Sequence, residues 1–140
     1  MFQIDKTLEA DSVPVATLAL CRVRLIRDAA YPWLILVPAR ARMRDIDDLA
    51  PADQGLLTAE ISLASRTLKA LFVPDKINVA ALGNVVEQLH VHVIARFKND
   101  AAWPRPVWGV APMRDDDTLH EKRRRALQTA FARHGDKDSP

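Results

Sequence analysis

The run Gly83-Asn84-Val85-Val86-Glu87-Gln88-Leu89-His90-Val91-His92-Val93-Ile94-Ala95-Arg96 decides the fold, because it alone joins strand alternation to clustered titratable side chains. On an extended chain successive side chains point to opposite faces. Gln88, His90 and His92 therefore share one face, and Leu89, Val91 and Val93 the other. The apolar face belongs in a core, and the second face presents an amide and two imidazoles on stiff backbone. Gly83-Asn84 just upstream is a turn-forming pair that can bring backbone N–H groups and an amide beside the histidines.

A neutral imidazole whose second nitrogen is restrained by a hydrogen bond can serve as nucleophile, base or metal ligand. Three classes of protein compete for such a strand. A cupin-type metal barrel also uses Gly followed by His-x-His, but it needs a Glu shortly after and a third histidine on a distant strand. Neither follows His92 here. An imidazole-based catalyst and a non-catalytic binding or interaction module both remain, and a pair of polar slots on a half-exposed strand is the plain structural alternative.

The run resembles the signature of the histidine triad superfamily of nucleotide hydrolases and transferases, in which three histidines alternate with apolar residues. The likeness extends to Asp48-Leu49, Asn78 and Asn84 and covers the chain from the first strand through Arg96. It implies that His90, the middle position, attacks an α-phosphate to give a covalent nucleotidyl-imidazole, with its other ring nitrogen held by a backbone carbonyl. His92, Asn84 and Gln88 are then expected on the phosphate oxygens. Asn78, Gly83, Trp33 and Arg96 complete the expected substrate-binding set, with Asn78 either on a ribose hydroxyl or ordering the site. Two positions depart from the family: Gln88 stands where the first histidine belongs, and Trp33 where many members carry histidine. This version resembles a bacterial diadenosine tetraphosphate hydrolase-like branch. The resemblance implies a homodimer with the sheet extended across the interface, a dinucleoside polyphosphate substrate and no required cofactor, with a divalent cation admissible alongside the phosphate chain. Because an amide cannot donate a proton as an imidazolium does, anhydrides with weakly basic leaving groups are expected to turn over better than alkylamine phosphoramidates.

Composition sets the frame. One chain of 140 residues, 49% hydrophobic and 27% charged, suits a single domain over 1–140 with a real core. A formal charge of +2 gives no global field for nucleic acid. The lone Cys21 excludes an internal disulfide and fits a reducing, cytoplasmic compartment; it reads as a packing residue rather than a nucleophile. No stretch is long and apolar enough for a membrane span.

Working outward, Val15 to Ile26 alternates as one strand, and Trp33 to Val37 after Asp28-Ala29-Ala30-Tyr31-Pro32 reads as its hairpin partner. Trp33 is either core or the wall of a base pocket. Arg40, Arg42 and Arg44 alternate after it and either meet phosphates or form a solvated loop. Pro51 opens a helix over 51–71 with Leu57, Ile61, Ala64, Leu68 and Leu71 on one face and Glu60, Arg66 and Lys69 toward water. Lys76 to Leu82 is the third strand, 83–87 the connection and Gln88 to Phe97 the fourth. With the weakly signalled N-terminal segment around Phe2 and Leu8, this gives an α+β fold: an antiparallel sheet of about five strands, a crossover helix and a C-terminal helix.

Beyond Arg96, segment 98–140 changes character. Ala101-Ala102-Trp103-Pro104-Arg105-Pro106-Val107-Trp108-Gly109 cannot be helical. It either folds over the site or a partner subunit, where tryptophan can stack on a base, or packs on the outer helix. Asp115-Asp116-Asp117-Thr118 then caps a last helix to about Arg133, acidic at its start and basic later as the helix dipole favours. His120 and His134 receive no role.

Overall fold

The structure, a computed structural model, describes residues 1–137, with side chains through His134; residues 138–140 of the tail segment lie outside the described residues. In chain order the elements are α1 (Lys6–Ala10), β1 (Ser12–Thr17), β2 (Cys21–Ile26), β3 (Trp33–Pro38), a 3-10 turn (Ile46–Asp48), α2 (Pro51–Phe72), β4 (Lys76–Ala80), β5 (Val91–Arg96) and α3 (Asp117–Lys137). The strands form one antiparallel sheet in the order β1-β2-β3-β5-β4. The expected α+β class is what the chain adopts.

The expected strand from Val15 to Ile26 is instead two strands. Leu18 N–H donates to the Cys21 carbonyl at 2.8 Å, closing a tight reversal between β1 and β2. The apolar pattern runs straight through this turn, so alternation alone could not reveal it. What secures the reversal is Glu60, which is buried rather than turned to water as its helical position suggested. Its two carboxylate oxygens accept from the Leu20 and Cys21 N–H groups at 3.0 and 2.8 Å. Two backbone donors at a buried turn would otherwise be left unpaired.

One sheet face is the main core. Val23, Leu25, Leu34, Leu36, Val91, Val93 and Ala95 meet Leu57, Leu63, Ala64 and Leu68 of α2 and Leu127 and Phe131 of α3. Each fully buried leucine there contributes roughly 1.5–3 kcal/mol. Leu71, expected on the apolar face of α2, is 37% exposed. Helix α2 ends at Val73, whose φ of 48° is left-handed and whose N–H donates to the Lys69 carbonyl.

The other face carries the histidines, and it is roofed from both ends of the chain. The N-terminal segment lays Phe2, Ile4 and Leu8 over Ile35 and Val37. The tail lays Ala102 and Val107, with Tyr31, over Trp33 and Ile94. With both faces covered, every residue of β3 and of β5 is buried. β4 stops at Ala80, short of the expected Leu82, and Gly83 turns the chain with φ of +74°, a conformation L side chains rarely adopt. Asp116, within the expected acidic cap, starts α3 by accepting from Leu119 N–H at 3.1 Å, and the helix runs past Arg133 to Lys137. Among the described residues no helix is long and apolar enough to cross a membrane.

Candidate active site

The histidine strand begins later than its sequence suggested. Leu89 and His90 precede the strand, and the ladder opens at Val91. The side chains nonetheless alternate as expected, because the β3–β5 register sets Ile35 opposite His92 and Trp33 opposite Ile94 on one face. His90 and His92 are both 7% exposed, with ring centroids 4.9 Å apart in a T-shaped pair.

His90 Nδ1 lies 2.7 Å from the Gln88 carbonyl oxygen. A carbonyl only accepts, so Nδ1 carries the hydrogen and the neutral ring has its lone pair on Nε2. His90 also lines a cleft of about 290 Å³ together with Arg44, Asp45, Asp47, Leu82 and Gly83. The wall opposite the histidine is fixed to the strand by backbone, since Leu89 N–H donates to the Met43 carbonyl at 2.9 Å. Asp48 builds that wall: its carboxylate accepts from Arg44 and Asp45 N–H at 3.1 and 2.9 Å, and these bonds hold its pKa below the ordinary carboxylate value. Leu49, beside it, is core.

His92 is in a drier place. Trp33 Nε1–H donates to His92 Nδ1 at 2.9 Å, and Trp108 packs edge-on with centroids 4.9 Å from the His92 ring and 5.7 Å from the Trp33 ring. Burial, and secondarily the neighbouring His90, push the His92 pKa down to about 4. Of the two readings of the proline-rich tail, Trp108 therefore adopts the first: it folds onto the histidine face.

Gln88 and Arg96 are engaged elsewhere than expected. Gln88 does not turn its amide to the cleft: Oε1 accepts from Asp5 N–H at 2.8 Å and Nε2 donates to the Gln3 carbonyl at 2.7 Å. The residue in place of the first histidine thus ties down the N-terminal segment. Arg96, expected on substrate, is 1% exposed. Its Nε and Nη2 meet both Asp100 oxygens at 2.7 and 3.0 Å, and its guanidinium lies 5.6 Å from the Tyr31 and Trp103 ring centroids. Buried to this degree, the guanidinium presents no donor to a ligand arriving from solvent. Asn78 joins the same cluster, its Oδ1 accepting from Arg96 Nη1 at 2.8 Å. Asn84 is exposed on the connection next to Gly83.

Sequence reasoning missed Asp45, Asp47 and Asp100. The acidic run Asp45-Ile46-Asp47-Asp48 directly after Arg44 was the available signal for the first two, and the four-residue step from Arg96 for the third. Arg40 is paired with Asp53, and Arg44 reaches Glu87 only at 3.4 Å with both side chains well exposed. Burial, with the Glu60 carboxylate next to it, pushes the Cys21 thiol up and leaves it a packing residue. Among the described residues no group of three or more His, Cys, Asp or Glu is placed to hold a metal ion.

Comparisons with known proteins fit this geometry. A family model described as HIT domain matches residues 7–99. A curated AP-4-A phosphorylase from Mycobacterium tuberculosis is 34% identical over 115 residues, which cover 74% of this chain and 56% of the relative. The chain thus spans little more than half the length of that relative. Among solved structures, a histidine triad protein from Bradyrhizobium japonicum is 46% identical with a TM-score of 0.89, covering 92% of this chain and 97% of its own. One from Marinobacter aquaeolei is 40% identical with a TM-score of 0.90, covering 95% and 98%. A family match over most of the chain, a relative at this identity and a shared fold around the His90 and His92 strand together settle the point: the chain belongs to the histidine triad family.

Proposed function

We propose that this protein cleaves phosphoanhydride bonds in dinucleoside polyphosphates through a covalent nucleotidyl intermediate on His90. The observation that carries this reading is the Nδ1–H bond from His90 to the Gln88 carbonyl, which leaves a bare Nε2 on a ring that also lines an open cleft. The Nε2 lone pair attacks the α-phosphorus, a P–N bond forms, and the P–O bond to the leaving polyphosphate breaks with its electron pair on that oxygen. Water then attacks the same phosphorus, the P–N bond breaks, a proton passes to solvent and the imidazole returns neutral. One hard displacement becomes two easier ones. The Gln88 carbonyl steadies the ring while it carries phosphorus and a positive charge.

The nonbridging oxygens need donors that are already aimed. His92 supplies an N–H, Gly83 lines the cleft with Asn84 exposed next to it in the chain, and Arg44, loosely held by Glu87, can swing to a phosphate. The reading needs no resident cofactor; a divalent cation would arrive on the phosphate chain. The name of the M. tuberculosis relative supports the dinucleoside polyphosphate class and puts inorganic phosphate beside water as an acceptor to test.

We further propose a homodimer through β4. That strand is the sheet edge, and Val79, Leu82, Val73 and Val85 near it are 48%, 48%, 80% and 92% exposed. Such an edge is ordinarily covered or paired.

The test is trapping. Diadenosine tetraphosphate labelled at the α-phosphate, quenched in alkali after a short reaction, should leave acid-labile label on the wild-type chain and none on His90→Ala. Nucleotide binding without label on the wild type would replace the enzyme with a binding module.

A further inference from the structure

We propose that Trp33 is a positioning residue that holds His92 as a neutral Nε2–H donor, so that the two imidazoles of the strand present opposite tautomers to the same ligand. The indole nitrogen has one hydrogen to give and no lone pair to accept with. The ring nitrogen it meets at 2.9 Å must therefore be bare, and the one proton of a neutral His92 ring sits on Nε2. His90 is fixed the other way round, with its hydrogen on Nδ1 against the Gln88 carbonyl. One ring offers a lone pair for attack and its neighbour offers an N–H. Neither choice is left to solvent.

The surroundings make this arrangement hard to reverse. A proton added at His92 Nδ1 would face the Trp33 N–H head-on, inside a layer closed by Trp108. The residues around the ring are Trp33 and Ile35 on β3, Ala80 on β4, Trp108 from the tail and His90 on its own strand. Only His90 among them can carry charge, and it is of the sign that resists a second one. The pKa of about 4 agrees with this, because burial and His90 both disfavour the imidazolium. A histidine at position 33 could relay or accept a proton; tryptophan cannot. His92 thus donates a hydrogen bond without acting as an acid near neutrality.

The tautomer claim stands apart from the chemistry proposed above, but the phosphate as target of the His92 N–H rests on that reading. Long-range proton–nitrogen NMR on protein labelled with 15N-histidine reads it directly without substrate. Between about pH 8 and pH 5, where a free imidazole changes charge, wild-type His92 should keep a constant Nε2–H pattern. In Trp33→Phe the ring should become a tautomer mixture, while burial and His90 keep it neutral over that range. On dinucleoside tetraphosphate the same variant should lose roughly ten- to hundredfold in kcat/KM, the scale known for partners that orient metal-bound imidazoles. A wild-type ring protonated on Nδ1, a wild-type ring that titrates near neutrality, or an unchanged His92 pattern in Trp33→Phe would overturn the proposal. If Trp33→Phe does not fold, the wild-type spectrum alone decides. A constant Nε2–H pattern together with a failed trapping experiment would remove the enzyme and leave the tautomer lock in place.

Discussion

Arg96 and Asp100 show what a single pair of side chains can hold. The carboxylate accepts from the guanidinium and from the N–H groups of Phe97, Ala102 and Trp103, so it shapes the turn that sends the tail back over the sheet. With the two side chains 1% and 3% exposed, Asp100→Ala strands a buried cation and should cost about 3–5 kcal/mol in denaturant unfolding. Burial alone would raise the Asp100 pKa, but the Arg96 bond and the backbone donors outweigh it and the net shift is downward. A carboxyl depressed in the folded state stabilises above its unfolded pKa, so this contribution is intact at neutral pH. It is lost as acid takes the solution below about pH 4, the ordinary carboxyl value, and the Asp100→Ala variant should show a flatter acid unfolding curve. Arg44 is the contrasting case. Its exposed, loose pair with Glu87 stabilises little, so Arg44→Ala should leave the melting temperature within a degree or two while raising KM for a dinucleoside polyphosphate about tenfold, the loss of one charge-assisted bond. At this scale the sequence indicated which histidines face together, and the family resemblance that a backbone carbonyl holds one of them. It could not show what occupies Gln88, because the partners Gln3 and Asp5 lie more than 80 residues away and carry no motif.

At the scale of elements, helix α2 was the most legible part, since Pro51 starts it and apolar steps of three and four carry it to Phe72. Its misreading is equally instructive. Glu60 sits on the buried stripe of that helix, and periodicity assigns a carboxylate to water unless a partner is known. The partner was two N–H groups in a turn hidden within an unbroken apolar run. Glu60→Ala should therefore cost about 2–4 kcal/mol, two unpaired buried donors at the lower end of the usual range, far above the few tenths expected of an exposed helical Glu. A gain is available on the same helix. Gly55 is exposed, and a methyl there meets nothing within 4 Å, so Gly55→Ala should stabilise by roughly 0.5–1 kcal/mol with activity unchanged. Thermal unfolding of both variants checks the pair.

For the molecule as a whole, the sheet has one face for stability and one for chemistry, and the second is roofed by both ends of the chain. Strand order places the histidine strand next to the edge strand, so an edge-to-edge dimer would set two sites close to its axis. If β4 is that interface, Val79→Lys should shift sedimentation from dimer to monomer without unfolding the chain; a wild type that sediments as monomer at micromolar concentration would reject the interface. The antiparallel sheet, crossover helix and terminal helix were readable from alternation and caps, except for the reversal between β1 and β2. The roof was not, because Phe2, Ile4, Trp103 and Trp108 lie in segments without periodicity, and long-range packing alone decides where such segments settle.

One consequence of that roof is practical. All three indoles of the chain, Trp33, Trp103 and Trp108, lie along the His92 to Arg96 side of the sheet, and two touch His92 itself. Intrinsic emission from this protein is thus a local gauge with almost no background from elsewhere. Quenching or a colour shift during a nucleotide titration would follow occupancy of the cleft in real time, with no dye, tag or coupled enzyme.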